Sequence, residues 1–390
     1  MTLAGLPVDL AKYPAETVTN RQFEGVIPPG LDAVFLPDAL RPLVDEPPVE
    51  VLRFVEDDNR TAILPEPVAT LDGQPFYLSV KGIGAAVAPY SWRALDRELA
   101  AEVAHRPDVA TRLRRTRPQA VDRVITGELW LRGSPYGGQG AEHAATALRV
   151  SERADLTSIH GFRIAPLVKV ATLPSALAEA LRSIYWYRQY RGTIVQELRL
   201  VPSNVRIYFH ARNTVGNNVR HVFDLFDLRS NERTVAFEVN FVRTTVAMLT
   251  LFARTMVSGP SPDEFRGLDF YDVWLDKDAV VSPDGSVYFV DLEGLEEVSV
   301  PRRAVREKIE DQVYRSLYEM TFAYEQIEAE RARRFGPDGT PPERLEGILR
   351  VALRDDRFVR LREDGRRLEF EIRNNCQEPE LYTRFQAVDR

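Results

Sequence analysis

The balance of strand-like and helix-like hydrophobic pattern in this chain shifts once along its length, and that shift limits the folds open to it. Up to residue 232 short, strand-length apolar runs broken by turn-forming residues predominate, with some helical segments among them, whereas Val235 to Met256 reads as one long apolar helix. A β-rich part followed by a helix-rich part predicts an α+β fold with two lobes, and 390 residues is more than one core usually supports. The predicted divisions are an irregular, proline-broken arm over 1–48, a β-rich N-terminal lobe over 49–232 and a helical C-terminal lobe over 233–390.

Within the first lobe the spacing predicts strands over Val49 to Val55, Thr61 to Leu64 and Phe76 to Val80, with a turn at Asp72-Gly73. Helices are predicted over Arg93 to Ala104 and Val109 to Arg115, and a strand over Gly127 to Arg132 leads into the glycine-rich stretch Gly133 to Gly140. A helix over Ala141 to Ala154 follows, then a strand over Phe162 to Val170 and an amphipathic helix over Pro174 to Tyr190. Thr193 to Val201, Val205 to His210 and His221 to Leu228 read as a meander. The second lobe continues with a hairpin over Ala279 to Val290, a helix over Arg302 to Phe335, a final helix beyond Pro341-Pro342 and a β-like segment over Phe358 to Ile372.

Charge narrows the function classes. A net charge of −7 gives no general attraction for nucleic acid or anionic membrane, and no apolar run approaches a membrane span. The single cysteine, Cys376, excludes an intrachain disulfide and fits a reducing compartment, so cytoplasm is the expected location. The histidines show no zinc-ligand spacing, and no Gly-x-Ser-x-Gly elbow marks a serine hydrolase. Positive charge is written almost entirely as arginine; lysine stands only at 12, 81, 169, 277 and 308, which gives weight to a lysine at a strand end where phosphate could be met.

The densest chemistry lies between Asp276 and Gly294. Ser282-Pro283-Asp284-Gly285 is a turn between two short apolar strands, so Asp278 and Asp291 come together at the open end of a hairpin, about 5 Å apart. Two such carboxylates repel unless a cation lies between them, and Mg2+ held by carboxylates and nucleotide phosphates is the usual solution.

This stretch resembles the metal-binding segment of protein kinases, with Asp278 in the position of the catalytic-loop Asn and Asp291 in that of the DFG Asp. Phe76 to Lys81 resembles the strand ending in the phosphate-binding lysine. Together with Lys81-Gly82-Ile83-Gly84 and Gly137-Gly138-Gln139-Gly140, the pattern looks most like the atypical kinases of the selenoprotein-O family, which transfer AMP to proteins. The resemblance implies a protein-kinase-like bilobal fold, ATP and Mg2+ as cofactors, Lys81 on the phosphates with Glu142 or Glu152 as its partner, and Gly137 and Gly138 beside the nucleotide. Glu142 is preferred because it opens the helix beside the glycine-rich loop. Asp276 is the candidate base for an acceptor hydroxyl, with Asp272 behind it, and Lys277 would neutralise transferred phosphate. No His-Arg-Asp triplet occurs, and the arginines that would bury a γ-phosphate are missing around Gln139. The expectation is therefore phosphoryl transfer to an unidentified acceptor, with AMP transfer or a nucleotide-binding scaffold as the alternatives.

Overall fold

The computed structural model describes residues 17–19, 61–71, 73–81, 139–152, 161–172, 193–203, 205, 219–270, 273, 275, 278–338, 341–364, 367–376 and 383–389. The expected elements at Val49 to Val55, Arg93 to Ala104, Val109 to Arg115, Gly127 to Arg132 and Pro174 to Tyr190, and most of Val205 to His210, lie outside these residues. The chain divides into two units. One holds 1–148, 166–204 and 211–216; the other holds 149–165, 205–210 and 217–390.

The first unit is built on an antiparallel sheet. In chain order its elements are β1 (Thr17–Thr19), β2 (Thr61–Leu71), β3 (Gln74–Lys81), β4 (Gln139–Gly140), helix α1 (Ala141–Ser151, which runs past the unit's limit), β5 (Leu167–Thr172) and β6 (Ile194–Val201). The sheet order is β1-β5-β6-β3-β2, with β4 also pairing β6. The stretch expected to be an irregular arm thus contributes a strand, β1, paired to β5. β2 carries Pro65 and Pro67, which have no N–H for a ladder; it lies at the sheet's edge, and its register shifts around Pro67. Gly73, at φ +76, takes the left-handed turn position that the Asp72-Gly73 pair predicted. On β3, Phe76, Leu78 and Val80 are buried, and every residue of the central strand β6 is buried.

The second unit begins its helices with α2 (Val219–Leu225). The strand expected over His221 to Leu228 is therefore a helix up to Leu225. Val222, Phe223 and Phe226 are buried while Asp224 and Leu225 are exposed, a helical spacing that resembles alternation over so short a run. Asp227, at φ 54, follows α2, and Ser230 caps α3 (Asn231–Leu249), accepting from the Arg233 N–H at 3.2 Å.

The apolar helix expected over Val235 to Met256 is broken at Thr250, after which α4 (Leu251–Thr255) resumes. The Thr250 N–H donates to Met248 O, and the Phe252 N–H donates to Gln312 Oε1 at 3.1 Å, so a distant side chain satisfies a helix donor. Next come β7 (Val257–Ser258), β8 (Glu264–Phe270), β9 (Ala279–Val281), β10 (Val287–Phe289) and β11 (Leu295–Pro301), then α5 (Val305–Phe335), α6 (Pro341–Ala352), β12 (Val359–Asp364), β13 (Arg367–Ile372) and β14 (Thr383–Asp389). The part expected to be helical therefore also carries three antiparallel sheets: β9 with β10, β8 between β7 and β11, and β13 between β12 and β14. The architecture is mixed α/β, with antiparallel sheets and helices. No helix among the described residues is long and apolar enough to cross a membrane.

Buried charge joins α3, α5 and α6. Glu238 of α3 is fully buried and meets Arg344 of α6 and, at 3.8 Å, Arg331 of α5; Arg331 also holds Glu328 at 2.8 Å. Burial outweighs these arginines and pushes the Glu238 carboxyl up to about 7. The folded chain then keeps this proton up to about pH 7, while the unfolded chain releases it near the ordinary value of 4.5. Unfolding sheds a proton between those values, so stability falls as pH rises through the window, by about 3 kcal/mol in all. In Glu238→Gln, melting temperatures taken from about pH 5 to about pH 7 should show a flatter decline than in the parent. An identical slope would mean that Glu238 does not titrate there.

Candidate functional site

The hairpin of β9 and β10 is inside the second unit. All six strand residues are buried, and the register sets Ala279 against Phe289, Val280 against Tyr288 and Val281 against Val287. Both outer edges are covered. The Val281 N–H donates to Val205 O at 2.8 Å; on the other side Ala165 N–H donates to Phe289 O at 2.9 Å, and the Phe162 ring stacks on Phe289 at 5.6 Å.

The turn is docked on α3. Asp284 accepts from the Ser286 N–H at 2.9 Å and from the Ser282 hydroxyl, while Asn240 donates to Asp284 O at 2.9 Å and Thr244 Oγ1 accepts from the Val287 N–H at 3.0 Å. Gly285 is at φ +92, and a β-carbon there would come within 2.1 Å of Phe237 O, so only glycine fits the turn and the contact together.

At the open end the register continues from Ala279 and Phe289 to set Asp278 against Val290, with Asp291 the next residue along. Asp278 O accepts from Val290 N–H at 2.8 Å and, more weakly, from Asp291 N–H at 3.5 Å. Asp278 is buried and Asp291 is part-exposed. Asp291 precedes a 3-10 turn, Leu292–Gly294, but its side chain makes no capping bond to it. Asp278 and Asp291 are hard oxygen donors, the type that holds Mg2+ when water and phosphate complete its shell. Among the described residues no group of three or more His, Cys, Asp or Glu forms a metal cage.

The loop between β8 and Asp278 is clamped by α5, an arrangement the sequence reading missed. Arg315 donates to Phe270 O at 3.1 Å and Val273 O at 3.3 Å and covers the Phe270 ring at 5.5 Å. The Leu275 N–H donates to the buried Glu319 Oε2 at 2.7 Å. One turn earlier, Gln312 and Lys308 hold Asp269 at the end of β8. Lys308, Gln312, Arg315 and Glu319 recur at helical spacing, so one face of α5 is polar yet turned inward. That spacing was the available signal. Asp276, Asp272 and Lys277, the predicted base, the acid behind it and the predicted phosphate lysine, lie outside the described residues, as do Gly137 and Gly138.

In the first unit Lys81 is the last residue of β3, half-buried, as the strand reading predicted. Glu142 is exposed in the first turn of α1; Glu152, exposed just beyond the helix end, is counted with the second unit. The acid that register sets beside Lys81 is Glu197 of β6, its direct cross-strand partner on the same face of the sheet. Glu197 is buried, and one of its oxygens takes the Arg199 guanidinium at 3.2 Å. Its other oxygen, Oε1, is buried without a hydrogen-bond partner. Nothing in the local sequence distinguishes Glu197, because its relation to Lys81 exists only in the pairing of two distant strands. No family model, curated protein or solved structure matches this chain.

Proposed function

We propose that the chain is an ATP- and Mg2+-dependent transferase that moves the γ-phosphoryl group to an acceptor hydroxyl, with a kinase-like division of labour between its parts. The observation that supports this reading is a hairpin fixed on both edges and at its tip, at whose open end the Val290 and Asp291 N–H groups donate to Asp278 O. Asp278 and Asp291 would hold the ion, which supplies charge neutralisation at the phosphates when bound. Lys81 would bind phosphate oxygens as a point charge, with Glu197 beside it to orient the ammonium. Asp276 would accept the acceptor's proton, Asp272 would support it and Lys277 would draw charge from the moving phosphoryl group. Arg315 and Glu319 serve as positioning residues, since they fix the backbone that leads into Asp278. The single cysteine and the absence of a predicted membrane span suit a cytoplasmic enzyme.

The missing His-Arg-Asp triplet favours a second reading, a nucleotide-binding scaffold without turnover. Two measurements separate the possibilities. ATP should raise the melting temperature more with Mg2+ than without it. ATP labelled at the γ position, and not at the α position, should leave label on an acceptor. Label from the α position alone would mean AMP transfer, label from neither a scaffold. No stabilisation by ATP under either condition would remove the nucleotide altogether.

A further inference from the structure

The face of α5 flanking its inward polar row is aromatic and open. Tyr314, Tyr318 and Phe322 are 76%, 51% and 39% exposed and recur every fourth residue, which sets them in one stripe along the helix. Tyr318 and Phe322 already meet edge to face, with ring centroids 4.6 Å apart, so little side-chain freedom remains to be lost on binding. Rigid, exposed aromatics in a row are the kind of surface that marks a protein contact.

The charges around the stripe identify what would cover it. Glu307 and Asp311 are exposed before it and Glu325 after it. The nearest cations on α5 are engaged: Arg306 with Glu310 at 2.8 Å, Lys308 with Asp269, and Arg315 with Phe270 O and Val273 O. A second copy of α5 laid antiparallel and centred on Tyr318 would set Asp311 against Glu325, and a parallel one would set each acid against itself. An anionic polymer or membrane is repelled for the same reason. We infer that this stripe is a docking surface for a helical segment of another protein, apolar at its centre and basic at both ends. Glu307 to Glu325 spans about 27 Å, so the segment would be about five turns long. This inference does not depend on the chemistry proposed for the hairpin.

The probe is a synthetic amphipathic peptide of about 18 residues, with leucines on one face and lysines at both ends, compared with its glutamate counterpart. Fluorescence anisotropy with the full chain should detect binding of the lysine peptide alone. Affinity should fall at least about tenfold in the Tyr314→Ser, Tyr318→Ser, Phe322→Ser triple variant, and also in Asp311→Lys, Glu325→Lys. Unchanged urea midpoints would show that both variants are folded. Equal binding of the two peptides, no binding of the lysine peptide, or full affinity in the triple variant overturns the proposal. So does a dimer of the parent chain, seen by sedimentation, that the triple variant cannot form.

Discussion

Asp291→Asn should lower Mg2+-dependent label transfer at least about a hundredfold, since loss of a group that merely supports a metal ligand already costs tenfold or more. The carboxylate is part-exposed and Asn keeps its size and shape, so the unfolding free energy should move by no more than about 1 kcal/mol. The Mg2+-dependent part of the ATP-induced melting shift should vanish with the activity. The two readouts together locate the defect: a folded variant that still binds ATP but has lost its metal response implicates the carboxylate itself. Full activity in Asp291→Asn would reduce the aspartate to a part of the fold and remove the main support for the proposed chemistry.

The largest loss of stability should come from the other end of the second unit. Arg254 of α4 and Asp356 form a buried ion pair at 2.6 Å, and burial lowers the Arg254 pKa against the pull of its partner. Asp356 also accepts from the Phe358 and Val359 N–H groups, at 2.8 and 3.0 Å, and Arg254 lies over the Phe358 ring and donates to Thr250. Asp356→Ala strands a buried guanidinium and two amides and should cost about 3–5 kcal/mol, read as a lower urea midpoint at unchanged slope. Replacing both partners, as Arg254→Met with Asp356→Leu, should recover part of that loss, because no charge is left buried alone. A cost below about 1 kcal/mol for Asp356→Ala would show that water reaches the pair.

The sequence made the two hairpins legible because their information is local. Asp72-Gly73 and Ser282-Pro283-Asp284-Gly285 carry their own turn chemistry, and the apolar runs beside them are too short for helices. The place of Asp278 at the open end of its hairpin followed from the second turn alone. What failed depended on distant partners. Thr250 breaks its helix where Gln312 supplies a bond from sixty residues away, and Val219–Leu225 is too short for its period to decide between helix and strand. Glu197 could not be set beside Lys81 without the register of β3 on β6. The polar row on α5 reads as a solvated face until β8 and the loop after it are laid against it. Positions inside one turn are written in the sequence; positions shared by two elements are not.

The docking of the hairpin tip has an evolutionary corollary. Gly285 lies so close to the Phe237 backbone that a β-carbon would not fit, and Asn240 and Thr244 bond the turn and the start of β10 from the next turns of the same helix. None of these groups takes part in the proposed chemistry. Chains that share this architecture but have lost or changed their activity would be under no pressure to keep Asp278 or Asp291, yet would still need glycine at the tip and hydrogen-bonding side chains on the helix beneath it. The spacing of an Asn, a Thr four residues later and a distant Ser-Pro-Asp-Gly is thus a fingerprint of descent that would outlast the catalytic residues.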